Sequence, residues 1–132
     1  TEIRSITIQV NAPNPLADSS WVVTSLFVNQ VPLPGSSMTL QFIGESSSAA
    51  NGGCNNFSGP YAVFFSGISI GPLAGTRISC GEELDAQETA YMQALETATT
   101  FQQNGDQLIL YGSGNVEVAR FARLQAVPLA GG

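Results

Sequence analysis

One segment of this chain, residues 84–98, differs in composition from the sequence around it and constrains the fold more than any other feature. It contains no Gly or Pro and is rich in Ala, Leu, Glu, Gln and Met, which favour helices. Its apolar side chains share one helical face at steps of seven, four and three residues: Leu84, Tyr91, Leu95 and Ala98. We therefore predict one amphipathic helix whose stripe packs against the rest of the fold.

The remaining sequence is dominated by short runs that are typical of β-strands. Residues 21–28 form a continuous β-branched and aromatic run, which predicts a strand covered on both faces. Residues 38–42 alternate between apolar and polar, which is typical of a strand with one solvated face. Further strands are predicted at 46–50, 61–65, 68–70, 100–103, 107–111 and 116–124, the last two forming a hairpin.

Together these elements predict an α+β fold that is mostly antiparallel β, with a strongly bent sheet, half-barrel or barrel packed around the single α-helix at about 84–98. We expect the domain to span residues 16–125. Residues 1–15 hold an alternating N-terminal strand and a proline-rich linker, and residues 126–132 are interpreted as a tail or linker. The chain begins without Met, so we expect a removed leader or a longer parent protein.

Composition excludes several classes of protein. Charged residues are 11% and hydrophobic residues 43% of the chain, so the bulk of it is not disordered, and no apolar run is long enough for a membrane helix. His is absent, which removes His-based acid–base catalysis, the Ser-His-Asp triad and the commonest metal ligand. The net charge is −6 and there is no Lys, which disfavours nucleic acid and anionic membranes as partners.

Three patterns have chemical interpretations that we reject. Residues 67–71 spell the G-x-S-x-G of a hydrolase elbow, but Ser69 lies in a predicted strand and no His can activate it. Residues 112–114 lack the third Gly and the following helix of a dinucleotide fingerprint, so we interpret them as a turn. Asp85 and Glu88 lie near the start of the helix, where acids are stabilising, so a glycosidase pair is not expected.

Cys54 and Cys80 are the only cysteines, and both flank glycine-bearing turns. An even pair in a lysine-poor chain that looks exported is best interpreted as a disulfide. Two reduced thiols in a cytosolic protein remain the alternative. Two Cys without His do not complete a tetrahedral zinc site unless carboxylates join them, so we expect neither a metal nor another cofactor.

Three ordered blocks resemble a known family. Residues 53–61, G-C-N-N-F-S-G-P-Y, resemble the signature G-C-N-x-x-S/G-G-x-Y. Residues 71–80, G-P-L-A-G-T-R-I-S-C, resemble G-P-L-A-x-T-R-M-x-C, with Ile78 in place of Met. Residues 88–95, E-T-A-Y-M-Q-A-L, are similar to a helix of the form E-x-x-F/Y-L-x-A-L. Over about residues 18–124 the chain therefore resembles the META domain family, which includes the HslJ heat-shock lipoprotein.

The resemblance implies a small bacterial domain that is exported to the periplasm, the cell envelope or the medium, often with a lipid anchor on the full-length protein. It implies a curved β-barrel with a helix, similar in shape to secretion pilot proteins, and it carries no established catalytic residue. We expect a non-enzymatic, stress-related module that binds a small hydrophobic ligand or a protein. The alternatives are an enzyme that uses carboxylates or Arg77, and a pilot-like interaction domain for secretion.

The motif residues are given structural or binding roles. Gly permits backbone conformations that are closed to other residues, and the amide of Asn55 can bridge a turn. Arg77 lies in an otherwise apolar stretch, so we expect a partner such as Glu88 or Glu82, with ligand binding as the alternative. The motif residues singled out for these roles are Gly53, Asn55, Gly59, Gly71, Pro72, Thr76 and Arg77.

Overall fold

The structure, a computed structural model, describes residues 14–34 and 36–124. The predicted strand within residues 1–15 and the predicted tail lie outside these residues. In the described ranges no helix is long and apolar enough to cross a bilayer. The elements in chain order are β1 (Ser20–Leu26), β2 (Thr39–Ile43), β3 (Ser47–Asn51), β4 (Asn56–Phe64), β5 (Gly67–Ile70), β6 (Ala74–Gly75), α1 (Glu82–Thr97), β7 (Thr100–Asn104), β8 (Gln107–Tyr111), a 3₁₀ turn (Ser113–Asn115) and β9 (Glu117–Arg123).

Eight of the described strands form a closed antiparallel barrel. They follow the order β3-β2-β1-β9-β8-β7-β5-β4, and pairing of β3 with β4 closes the ring. The short β6 lies outside the ring and pairs with β4 alone, at Phe57–Gly75 and Ser58–Ala74. The predicted α+β fold, a bent sheet or barrel with one helix packed against it, is confirmed.

Side chains fill this barrel. Its strands contribute Trp21, Phe42 and Phe121 to one fully buried cluster, and α1 adds Tyr91 and Leu95. The Tyr91 hydroxyl donates a hydrogen bond of 2.7 Å to the carbonyl of Thr39, and burial raises the pKa of Tyr91 well above its ordinary value. The interior of the described barrel is therefore a packed core.

The helix prediction was accurate, whereas the prediction for the first strand was wrong in one respect. Tyr91, Leu95 and Ala98 of the predicted stripe are buried, and Leu84 is half-buried. Residues 21–28 are not covered on both faces. Along β1 the buried and less buried side chains alternate, and Thr24 is exposed, because the outer face of a barrel strand meets solvent.

The segment between β5 and α1 lies directly on β4, and two glycines make this close approach possible. A Cβ at Gly59 would overlap the carbonyl of Pro72, and a Cβ at Gly75 would overlap the carbonyl of Asn56. β4 starts at Asn56, before the strand predicted from residue 61, because its first residues pair with β3, and β6 is an unpredicted strand that pairs with β4. β6 exists because of packing between segments that are distant in sequence.

Candidate functional site

The first two motif blocks meet just before α1. The Cys54–Cys80 disulfide joins them, with the two Cα atoms 5.9 Å apart, which confirms the predicted pairing. Asn55 makes a second link, because its side-chain carbonyl accepts from the N–H of Ile78 at 2.9 Å and its amide donates to the Ile78 carbonyl at 3.0 Å. The Asn55 side chain therefore pairs with Ile78 much as a neighbouring strand would.

A buried carboxylate from α1 completes this junction. Glu88 is 7% exposed and accepts hydrogen bonds from the backbone N–H of Asn55 at 2.6 Å and from its side-chain amide at 2.7 Å. Gly52 leaves the space for it, because a Cβ at Gly52 would overlap the Glu88 side chain. A buried carboxylate is stable only when donors surround it, and this turn supplies them. We call the whole junction the clasp: Cys54, Asn55, Ile78, Cys80 and Glu88.

Asp85, in the first turn of α1, binds the segment that precedes the helix. Its carboxylate accepts from the hydroxyl of Ser79 at 2.5 Å and from the backbone N–H of Cys80 at 3.0 Å. The Ser79 hydrogen bond, and after it the one from Cys80, lower the pKa of Asp85 below its ordinary value. Asp85 and Glu88 are thus engaged by separate sets of donors, an arrangement that serves the junction structurally.

We expect Glu88→Ala to lower the free energy of unfolding by about 2 kcal/mol, because two donors of Asn55 lose their buried acceptor. Denaturant melts measure this loss. Glu96→Ala is the matched control, since Glu96 is an exposed acid on the same helix and should change stability by less than about 0.5 kcal/mol. Equal losses in the two variants would contradict a structural role for Glu88.

A cleft of about 410 Å³ opens beside the clasp, between α1 and residues 73–77. Its walls combine apolar side chains, among them Leu73 and Met92, with polar ones. Arg77 lines this cleft and is exposed, and within the described residues it forms no hydrogen bond or ion pair. The expected pairing of Arg77 with Glu88 or Glu82 is therefore not formed, since Asn55 engages Glu88 instead.

The other motif residues have structural explanations. Gly53 and Gly71 both have φ near +100°, a backbone region that favours glycine. Thr76 pairs with Asn56 in both directions, donating its N–H at 3.1 Å and accepting at its hydroxyl at 3.2 Å. The carbonyl of Pro72 lies over Gly59, as described above. Arg77 differs from these residues in having no contact of this kind within the described chain.

The wall that α1 contributes to the cleft was missed in the sequence. It follows helical spacing on a face separate from the buried stripe, but it mixes polar and apolar side chains and so gives no hydrophobic period. The spacing i, i+3, i+4, i+7 is the signal that could have found it. The residues with this spacing are Thr89, Met92, Gln93 and Glu96, and Glu88 and Thr97 of α1 also line the cleft.

Ser69 lies elsewhere, in the middle of β5 and opposite Ala62 of β4. Its side chain is exposed on the outside of the barrel. A nucleophile elbow requires a sharp turn between a strand and a helix, and Ser69 occupies a regular strand position. The geometry therefore gives no support to the hydrolase interpretation.

Comparison with known proteins identifies the family. The model of the META domain family matches residues 14–125. The chain is similar to a protein from Burkholderia xenovorans solved by NMR, with 27% identity and a TM-score of 0.68, over 87% of this chain and 93% of that one. Two further structures share the fold. One is an NMR structure with 19% identity and a TM-score of 0.66, over 84% of this chain and 93% of that one. The other is a crystal structure of a DUF4847 family protein from Bacteroides vulgatus with 13% identity and a TM-score of 0.60, over 85% of this chain and 96% of that one. No curated protein matches significantly. The chain belongs to the META domain family.

Proposed function

We propose that this domain is a non-enzymatic binding module that holds a partner through the cleft between α1 and residues 73–77. Arg77 carries the proposal, because it is an exposed cation at an open cleft and has no partner within the described residues. The remaining motif residues are engaged in packing and hydrogen bonds. Arg77 is therefore the motif residue best placed to contact a ligand.

The cleft fits an apolar group that bears one negative charge. A guanidinium presents several donors in a plane, an arrangement that suits a carboxylate. Leu73 and Met92 offer apolar contact beside it. Glu96 lines the same cleft and the chain carries a net charge of −6, both of which disfavour a polyanion.

A protein partner is favoured over a small molecule enclosed by the barrel. The interior is filled by buried side chains, whereas the cleft is open at the surface and can accept a side chain or a chain terminus. The disulfide supports an oxidising compartment and hence export to the periplasm, the envelope or the medium. The stress-related role and the lipid anchor rest on the resemblance to the family.

Titration of the ¹⁵N-labelled chain with octanoate tests the cleft, with octanol as the uncharged analogue. We expect amide shifts at Thr76, Met92 and Gln93, and about tenfold weaker octanoate binding in Arg77→Gln because a charge-assisted hydrogen bond is lost. Arg77→Lys should retain part of the affinity. Arg120→Gln is the matched control, since Arg120 pairs with Glu117 at 2.9 Å on β9.

A second experiment distinguishes the two possible sources of the carboxylate, a protein chain and a fatty acid. A tripeptide that ends in Leu with a free carboxylate is compared with its C-terminal amide. Preference for the free peptide over octanoate would indicate a protein partner, and the reverse would indicate a fatty acid. Octanol and octanoate binding equally well, or an Arg77→Gln variant that binds octanoate normally, would contradict the proposal.

A further inference from the structure

The turn between β4 and β5 carries two consecutive exposed aromatic side chains. Phe64 is 66% exposed and Phe65 is 93% exposed, whereas Val63 beside them packs against the core. Phe65 has φ +59°, a left-handed conformation that Gly, Asn and Asp adopt more readily than an aromatic residue does. Both hydration and backbone preference disfavour Phe at this position, so the stability of the fold does not explain it.

The strands around this turn carry no charge, whereas the neighbouring turns do. Because the strands alternate in direction, the β4–β5 turn shares one end of the barrel with the β2–β3 and β7–β8 turns. Residues 61–70 and the strand β7 contain no charged side chain. One neighbouring turn carries the acid Glu45, and the other carries Asp106, which forms an ion pair of 3.3 Å with Arg123 at the end of β9. This end of the barrel therefore presents an uncharged aromatic tip with an acid on one side and an ion pair on the other.

We infer that Phe64 and Phe65 form a wedge that inserts into the interface of a zwitterionic lipid bilayer. At these exposures the two side chains present roughly 300 Å² of apolar surface, since each aromatic side chain can bury about 150–250 Å². A stable protein interface takes about 800 Å² from each partner, so the wedge is too small to hold a second copy or another protein alone. A bilayer closes around a protruding side chain and favours aromatic groups at its polar–apolar boundary.

Charge selects the class of lipid. The chain has a net charge of −6 and no Lys, and Glu45 lies on the turn next to the wedge, whereas the nearby cation Arg123 is paired with Asp106. An anionic surface repels such an end, and the repulsion acts within a Debye length. Binding should therefore be strongest on phosphatidylcholine and fall as anionic lipid is added. This inference concerns a site separate from the cleft and does not depend on the proposed function.

Partition of the full chain onto phosphatidylcholine vesicles, measured by flotation, tests the wedge. The variant Phe64→Ser/Phe65→Asn removes both aromatic groups, and Asn suits the left-handed backbone at position 65. We expect its partition coefficient to be about tenfold lower than that of the wild type. The matched control Val31→Ser/Val116→Ser removes side chains that are 71% and 57% exposed at the opposite end of the barrel, and it should bind like the wild type.

A second readout does not depend on how well the double variant folds. Phe65→Trp places an indole at the tip, and its emission should shift to the blue on vesicles, whereas Trp21 is fully buried in the core. Equal partition of the wild type and the wedge variant, or an unshifted Phe65→Trp emission, would overturn the inference. Binding that rises with anionic lipid would overturn it too. A dimer in solution that the wedge variant abolishes would assign the wedge to a protein contact instead.

Discussion

Leu95→Ala should lower the free energy of unfolding by about 2–5 kcal/mol, the range for a buried Leu that loses its side chain and leaves a cavity. Leu95 is fully buried on α1 and belongs to the same core cluster as Trp21 and Phe121 of the barrel strands. Ala is a better helix former than Leu, so the expected loss comes from packing alone. Denaturant unfolding with an unchanged m-value measures it.

Leu84→Ala is the matched control for this substitution. Leu84 lies on the same helix but is only half-buried, so less apolar surface is lost and the cost should be clearly smaller. A cost below about 0.5 kcal/mol for Leu95→Ala would be typical of an exposed site. That result would contradict the position of α1 against the barrel.

The helix and the closing hairpin could be predicted because their signals are local. The stripe on residues 84–98 is visible within one window of sequence, and turn residues separate β8 from β9. The start of β4 could not be predicted in this way. Gly59 followed by Pro60 normally interrupts a strand, yet here the ladder to β3 runs as far as Pro60. The pairing with β3, which is joined to β4 by the short connection between Asn51 and Asn56, decides the outcome.

The candidate site also contains features that the sequence predicts and features that it does not. Cys54 and Cys80 were predicted to pair because they are an even pair in a lysine-poor chain that looks exported. The burial of Glu88 was not predicted, since an acid near a helix start is normally explained by the helix dipole. Its actual environment depends on Gly52, which lies far from it in sequence. The exposure of Arg77 follows from this competition, because Asn55 engages the carboxylate that Arg77 was expected to contact.

Loss of the disulfide should lower the stability of the protein about as much as Leu95→Ala does. Cys54 and Cys80 are 26 positions apart, and opening a loop of that length should lower the free energy of unfolding by about 3.5 kcal/mol through the entropy of the unfolded chain. The barrel core and the hydrogen bonds of Asn55 remain, so the fold should persist with a lower Tm. Thermal melts with and without reductant measure the change, and the variant Cys54→Ser/Cys80→Ser should not respond to reductant.

Thiol titration tests whether the disulfide is present, and a double-mutant cycle tests whether it stabilises the protein through the unfolded chain. Two thiols that titrate in the folded, unreduced protein would contradict the disulfide and remove the argument for an oxidising compartment. If the disulfide acts through the unfolded chain, the losses of unfolding free energy caused by removing it and by Glu88→Ala should be additive within about 0.5 kcal/mol. This should hold although both groups lie in the clasp. A larger coupling would show that opening the bond also loosens the contact between Glu88 and Asn55. We expect additivity, because the barrel positions both partners of that contact without the disulfide.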